Sequence, residues 1–163
     1  MSSAKNPLGT NKKIIPMGQN RVMGIVVSKW NNEITDKLLS GCLATLNLGN
    51  VPSGNIDVLH VPGTFELPSG AAHLFTKRTY DAVICLGCVI KGETKHDDYI
   101  NHAVANGLVQ LSLRQNKPVI FGVLTVNNEQ QAKDRAGGKY GNKGVEAAQT
   151  ALEMAHLFSD SKS

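Results

Sequence analysis

The sequence predicts an α/β protein: one four-stranded parallel sheet between two layers of helices, a three-layer sandwich. Three observations carry the prediction. Residues 22–29 (VMGIVVSK) and 81–90 (DAVICLGCVI) are near-continuous apolar runs, the mark of strands buried on both faces. Stretches with apolar residues every three to four positions stand between such runs, which is the period of an amphipathic helix. Gly, Pro and Asn punctuate the boundaries. Strands that alternate with helices form a parallel sheet covered on both sides and joined by right-handed crossovers.

Residues 1–20 are polar, rich in Asn, Lys and Gly, and interrupted by Pro16. They read as a flexible arm, with residues 13–15 offering a short extra edge strand. The first strand is 22–29. Asn31 or Asn32 can cap the helix that follows, with Glu33 in its first turn. Its apolar stripe is Ile34, Leu38, Leu39, Cys42 and Leu46, and it stops near Gly49 before the turn Pro52-Ser53-Gly54. The second strand is 56–61, ended by Pro62 and Gly63. The helix 67–75 tolerates Pro68 only because that residue lies in its first turn. The third strand is 81–90, and residues 91–96 form a polar loop. A long helix follows, with Ile100, Ala103, Val104, Gly107, Leu108 and Leu111 on one face. The fourth strand is 118–125. A helix at 129–135 runs into the break Ala136-Gly137-Gly138. Asn142 caps the last helix, whose stripe is Val145, Ala148, Leu152 and Ala155. No repeat or linker interrupts this order, so a single domain at 21–159 is expected between the arm 1–20 and a tail 160–163.

A chain of 163 residues with 41% hydrophobic and 18% charged residues suits one sizeable core and little more. No apolar run approaches the roughly 18 residues that span a bilayer. The N-terminal stretch lacks the apolar centre of a secretory signal. It reads as a plain arm or the remnant of an organelle address, so the cytoplasm is the expected compartment, with the plastid as the alternative for a mature form. The net charge of +4 is scattered over Lys12, Lys13, Lys77, Arg78, Lys139 and Lys143. Without a dense basic stripe or interleaved aromatics, nucleic acid is a poor partner, and a few placed cations for a small anion fit better. Three cysteines is an odd number for a disulfide framework. Cys85-Leu-Gly-Cys88 matches C-x-x-C, but inside a strand residues three apart face opposite sides, so the pair neither bridges nor chelates easily.

In parallel sheets of this kind ligands bind beyond the carboxyl ends of the strands. Those positions hold Ser28-Lys29-Trp30-Asn31, Pro62-Gly63-Thr64-Phe65-Glu66, and the run from Cys88 to His96. Together they offer two large aromatics, a carboxylate, an imidazole and a glycine-relieved loop ahead of a helix.

The segments VPGTFELP (61–68), YDAVICLGCVIKGETKHDDY (80–99), PVIFGVLT (118–125) and RAGGKYGNKGVEAA (135–148) resemble the lumazine synthase family, in order and at family spacing. The resemblance implies a flavodoxin-like fold and a cofactor-free, metal-free condensation. A ribityl-substituted diaminouracil joins a four-carbon dihydroxybutanone phosphate through a Schiff base, phosphate elimination and ring closure, the penultimate step of riboflavin biosynthesis.

By the same resemblance, Trp30 stacks on the pyrimidine, where many relatives carry Phe. Asn31 bonds the ribityl chain, caps the helix, or does both. Thr64, Phe65 and Glu66 bind pyrimidine and ribityl groups; read alone, Glu66 is equally a first-turn carboxylate favoured by the helix dipole. Cys88, Val89 and Ile90 meet the pyrimidine through their backbone. Phe121 is an aromatic contact across a subunit boundary, although alone it reads as a core Phe. Glu93 and Thr94 precede a helix start, where free N–H groups favour the phosphate; a carboxylate at Glu93 departs from the family pattern. Arg135 is the phosphate clamp, a planar guanidinium suited to two parallel bonds, though alone it is an ordinary helix C-terminal arginine. Lys143 adds positive field near the anion. His96 transfers protons, since imidazole exchanges them near neutral pH. Asp98 matches the family, whereas Asp97 stands where relatives have an aromatic. His102 lies six residues on and cannot share a metal with His96 on one helical face.

The resemblance also implies homo-oligomers: pentamers, and in some members a capsid of twelve pentamers. The short stretch RAGGKYGNKG lacks an insertion seen in purely pentameric relatives, which favours the capsid. Active sites would lie between subunits, combining Trp30 and His96 of one with Phe121 and Arg135 of the next. Riboflavin synthase is a further partner on this reading. Two other classes compete: a module that binds flavin or lumazine without turnover, and a shell-forming homologue without catalysis.

Overall fold

A computed structural model describes residues 15–160. Its order is β1 (Met23–Ser28), α1 (Asn32–Leu48), β2 (Ile56–Val61), α2 (Leu67–Lys77), β3 (Ala82–Ile90), α3 (His96–Gln115), β4 (Val119–Val126), α4 (Glu129–Arg135), a hairpin of β5 (Ala136–Gly138) and β6 (Gly141–Asn142), and α5 (Lys143–Asp160). Single 3-10 turns at Ser53–Asn55 and Thr64–Glu66 lead into β2 and α2. The main sheet has the order β2-β1-β3-β4, parallel throughout. This is the α/β sandwich expected from the apolar runs. Of the extra edge strand expected at 13–15, residues 13 and 14 lie outside the described residues, and Ile15 is irregular chain packed on the core.

Alternation along the strands divides the core in two. Met23, Ile25 and Val27 with Ile84, Leu86 and Cys88 face α1 and α5. Val26 with Val83, Cys85 and Val89 faces α2 and α3. Cys85 and Cys88 therefore sit in different halves of the core, both with free thiols. Burial pushes the Cys88 thiol up to about 11 and that of Cys42 up to about 12, and raises Cys85 further still. None is a reactive thiolate.

The helix stripes differ from expectation where helices approach closely. In α5, Val145 is only half-buried, and the residues buried in this half of the core are Gly144, Ala147, Ala148, Ala151, Leu152 and Ala155. Gly144 lies so near the Leu38 carbonyl of α1 that no Cβ fits. The helices pack backbone to backbone there, and only small residues permit it. In α3, Val104, Leu108 and Leu111 are buried as expected, but Ala103 is exposed and lines a cleft with Gly107. Asn142 caps α5 as anticipated, its Oδ1 accepting from the N–H groups of Gly144 (2.8 Å) and Val145 (3.3 Å). The break expected at Ala136-Gly137-Gly138 is a hairpin strand instead. Gly137 (φ 103°) and Gly141 (φ 84°) supply the left-handed backbone that the turn requires.

At the amino ends of the strands, Tyr80 donates to Asp57 Oδ2 (2.7 Å) and Arg78 pairs with the same oxygen (3.1 Å). Burial and the Asp57 carboxylate hold the Tyr80 phenol protonated, up to about 12. This network fastens the end of the sheet opposite the strand termini that carry the candidate residues.

The α1–α5 contact gives a direct test. Gly144→Ala is expected to destabilise the chain by about 1–3 kcal/mol or more in urea unfolding, because the added methyl meets backbone that cannot swing aside. Gly54, with open space around its Cα, is the control, and its Ala variant is expected to stay within about 0.5 kcal/mol of the parent. Equal stabilities for the two variants would refute the close-packing account.

Candidate functional site

β1 ends at Ser28, and the chain turns at once. The N–H of Lys29 donates to Val61 O (2.8 Å) and Pro62 O (3.1 Å), and the N–H of Trp30 to Pro62 O (3.0 Å). The loops after β1 and β2 are thus sewn together by backbone. Trp30 is 66% exposed, an unusual state for an indole. Its ring lies against Gly63: a Cβ there would stand 2.4 Å from the ring carbon Cε3. Glycine at 63 gives the indole a floor.

Asn31 adopts a left-handed conformation (φ 60°, ψ 41°), which asparagine tolerates better than most residues. It occupies the N-cap position of α1 without capping it by its side chain. Its carbonyl accepts from the N–H groups of Ile34 and Thr35, while its side-chain Nδ2 crosses to β3 and donates to Cys88 O (3.1 Å). The expectation of a side-chain cap is corrected by this tertiary bond. Thr64, buried beside Gly87, donates to the same Cys88 carbonyl at 3.5 Å. Cys88 O is therefore the point at which the ends of β1, β2 and β3 are tied.

Glu66 folds back so that Oε2 accepts from Gly63 N–H (3.0 Å), closing a capping turn. Phe65 is 59% exposed. Phe65 and Glu66 line a cavity of about 320 Å³ with Pro68, Ser69, Ala103 and Gly107. Asn31 and Ile90 line another of about 240 Å³ with Asn32, Glu33, Ile34 and Glu129.

The backbone of β3 has a definite phase at this end. Successive residues of a parallel strand send their N–H and C=O to opposite neighbours. Lys91 N–H reaches Val126 O of β4 (2.8 Å), while Cys88 O points toward Asn31. Val89 therefore faces β4, with which it pairs at Thr125. Ile90 turns its N–H and C=O to the β1 side, beyond the last β1–β3 pair, Val27 with Leu86.

Glu93 and Thr94 are exposed in the loop before α3. The Thr94 hydroxyl accepts from the backbone N–H of His96 at 3.4 Å. His96 is the first residue of α3, rather than the last of a loop, and is exposed; Asp97 beside it is half-buried.

Three expected residues stand apart from this group. Phe121 lies in mid-strand on the edge strand β4, paired with Cys85, five rungs before the last β3–β4 pair, Ile90 with Val126. It is 37% exposed. Glu129 borders the cavity of Asn31, but Arg135 sits six residues later along α4, about 9 Å further on. Lys143 opens α5 and pairs with Glu146 at 3.8 Å. The sequence offers Lys139 only as one of several scattered cations and gives Tyr140 no role, yet both stand beside Arg135. The Arg135 guanidinium carbon is 4.9 Å from the Tyr140 ring centroid and the Lys139 ammonium is 5.3 Å from it. The signal in the sequence was a lysine and an aromatic side by side between two glycines, but only the hairpin brings Arg135 back onto the ring. Among the described residues no three His, Cys, Asp or Glu side chains form a group that could hold a metal ion, and no helix is long and apolar enough to cross a membrane.

Trp30 is the sole tryptophan, so its fluorescence reports on this corner alone. Gly63→Ala is expected to displace the indole and shift its emission, with far-UV circular dichroism unchanged. An emission spectrum superimposable on that of the parent would contradict the contact.

Comparison with known proteins bears on the chain as a whole. A family model described as 6,7-dimethyl-8-ribityllumazine synthase matches residues 20–159. The chain is 55% identical over 154 residues to the 6,7-dimethyl-8-ribityllumazine synthase of Cytophaga hutchinsonii, covering 94% of this chain and 97% of that relative. It is 50% identical over 143 residues to the protein of the same name from Porphyromonas gingivalis, covering 88% and 89%. A third relative, from Parabacteroides distasonis, is 49% identical over 143 residues, again 88% and 89%. The fold, the order of the strand ends and a match that runs the length of both chains agree: the chain belongs to the 6,7-dimethyl-8-ribityllumazine synthase family.

Proposed function

We infer that the chain condenses 5-amino-6-(D-ribitylamino)uracil with 3,4-dihydroxy-2-butanone 4-phosphate, giving 6,7-dimethyl-8-ribityllumazine, inorganic phosphate and two molecules of water. The observation that carries this reading is the 55% identity to a lumazine synthase over 94% of the chain. The amine adds to the ketone and loses water to form a Schiff base, phosphate is eliminated, and attack by the ribitylamino nitrogen closes the ring with loss of the second water.

The site residues divide this work. Trp30, held open on Gly63, supplies the face on which the pyrimidine stacks. The Cys88 carbonyl already accepts from Asn31 and Thr64, so the free backbone polar pair at the end of β3 belongs to Ile90, which reads the edge of the pyrimidine. Val89 packs beneath it. The Asn31 Nδ2 is spent on Cys88, and its Oδ1 accepts from a ribityl hydroxyl, as does the Glu66 carboxylate beside Phe65. The backbone at Glu93 and Thr94, ahead of the first turn of α3, holds the phosphate. His96 at that turn moves the proton between the Schiff-base nitrogen and the neighbouring carbon.

Phe121 and Arg135 do not reach the Trp30 group of their own chain, and this supports an assembly in which they complete the site of a neighbour. A pentamer fits, closed further into a capsid. The large apolar residues left exposed on α3, namely Tyr99, Val109 and Leu113, support an interface. Lys143 adds field rather than a contact, being turned to Glu146. Residues 21–159 form the catalytic unit of one subunit. Three free buried thiols suit a reducing cytoplasm, and riboflavin synthase, which would consume the product, is the natural partner.

Mixing the purified protein with both substrates and following lumazine absorbance and fluorescence tests the reaction. A rate no greater than the spontaneous one would leave a binding module or a bare shell. Arg135→Ala is expected to raise KM for the phosphate substrate about 10–100-fold, the loss of charge-assisted bonds worth about 1.5–3 kcal/mol, and to leave that for the pyrimidine nearly unchanged. Equal losses for both substrates would contradict the assignment. His96→Ala is expected to slow turnover on the order of 10²-fold while leaving measurable activity, because positioning carries much of the rate. Sedimentation velocity distinguishes monomer, pentamer and capsid.

A further inference from the structure

We propose that Tyr140 is a positioning residue: its ring holds the Arg135 guanidinium where it meets the substrate phosphate. The proposal rests on the reading of Arg135 as the phosphate clamp and adds the part that keeps the clamp in place.

The hairpin after α4 builds the arrangement. Gly138 lies so close to the last turn of α4 that a Cβ would stand 2.7 Å from Lys133 O, so the chain folds back over the helix end it has just left. The N–H of Tyr140 donates to Asp134 O at 2.7 Å and fixes the ring's root on that turn. Gly137 and Gly141 take the positive φ angles that let so short a hairpin close. The ring then stands with Arg135 Cζ 4.9 Å and Lys139 Nζ 5.3 Å from its centroid. It is 58% exposed and adds nothing to the core, so packing does not account for it.

The charge balance is the second observation. Lys133 is paired with Glu129 at 3.2 Å and Lys143 with Glu146 at 3.8 Å, but among the described residues Arg135 has no carboxylate partner. Its Nη1 makes one long bond, 3.4 Å, to Gln131 O. A guanidinium with no counter-charge is held here by an aromatic quadrupole, which attracts the cation without occupying its N–H edge as a carboxylate would. The edge remains available for the paired bonds that a phosphate accepts. Without the ring, a long side chain beside a like-charged lysine would spread over many rotamers, and ordering it would fall to the substrate.

Steady-state kinetics on the full chain test this, with both substrates varied separately. Tyr140→Leu is expected to raise KM for 3,4-dihydroxy-2-butanone 4-phosphate about 2–5-fold, leaving kcat and the pyrimidine KM unchanged, and Tyr140→Phe to restore the parent value. In an Arg135→Ala background, Tyr140→Leu is expected to add nothing. Should the leucine variant misfold, Tyr140→Gln, similar in reach but without a ring, repeats the measurement. A leucine variant like the parent, a phenylalanine variant as impaired as leucine, or an undiminished effect in the Arg135→Ala background would overturn the proposal. An Arg135→Ala variant that spares the phosphate-substrate KM would instead remove the clamp reading on which it rests.

Discussion

The strand Ala82–Ile90 has a partner on each edge and a helical layer on each face, so its polar backbone is satisfied by the sheet until the sheet runs out. Its neighbour β1 stops pairing with it at Leu86, while β4 continues to Ile90. That stagger leaves backbone groups on one side only, next to the turn at Trp30. A buried carbonyl or N–H without a partner costs of order 1–3 kcal/mol, so something must occupy the gap. Side chains take the first position, Asn31 and Thr64 converging on Cys88 O. The next, at Ile90, is the position that the proposed reading gives to the pyrimidine. A planar heterocycle with alternating donors and acceptors is the kind of molecule that such a strand end can read as though it were another strand.

How far these features were legible in the sequence follows from the range of the interactions. Burial on both faces writes itself into local composition, which is why AVICLGCVI announced a central strand and its end announced a rim. Periodicity marked α1, α3 and α5 for the same reason. What escaped were contacts between segments distant in sequence. Asn31 looked like a helix cap because that role needs only its own neighbours; its bond to Cys88 spans 57 positions. Gly63 looked like turn punctuation, and its service to the Trp30 ring depends on where β1 ends. Gly144 carried no periodic signal because a residue without a side chain has none. The β5–β6 hairpin disappeared into a run of glycines, and with it the seat of Tyr140 beneath Arg135.

The residues that resemblance assigned to one site fall into two groups on the folded chain. Trp30, Asn31, Thr64, Glu66 and Cys88 are joined by direct contacts, and Ile90 shares a cavity with Asn31. Phe121 lies five rungs before the rim end of β4, and Arg135 lies at the end of α4 opposite the residue that shares Asn31's cavity. On the proposed reading the first group is a pyrimidine platform and Arg135 an anion clamp, and the two halves belong together only if copies adjoin. That reading makes assembly a condition of the chemistry, and under it the exposed apolar side chains of α3 serve an interface.

A condensation without a cofactor leaves the protein few means of acceleration other than holding two reactants in line and moving one proton. Effective molarities reached by orientation alone are worth about 7–11 kcal/mol, more than a single proton shuttle supplies. The rigidity visible at this rim is suited to that task. The loops after β1 and β2 are stitched by three backbone bonds, the indole rests on a glycine, and Cys88 O is bonded twice. His96, by contrast, is exposed at a helix start with only the Thr94 hydroxyl against its backbone. On the proposed reading, the contrast puts more of the rate on the positioning surfaces around Asn31 than on the imidazole of His96.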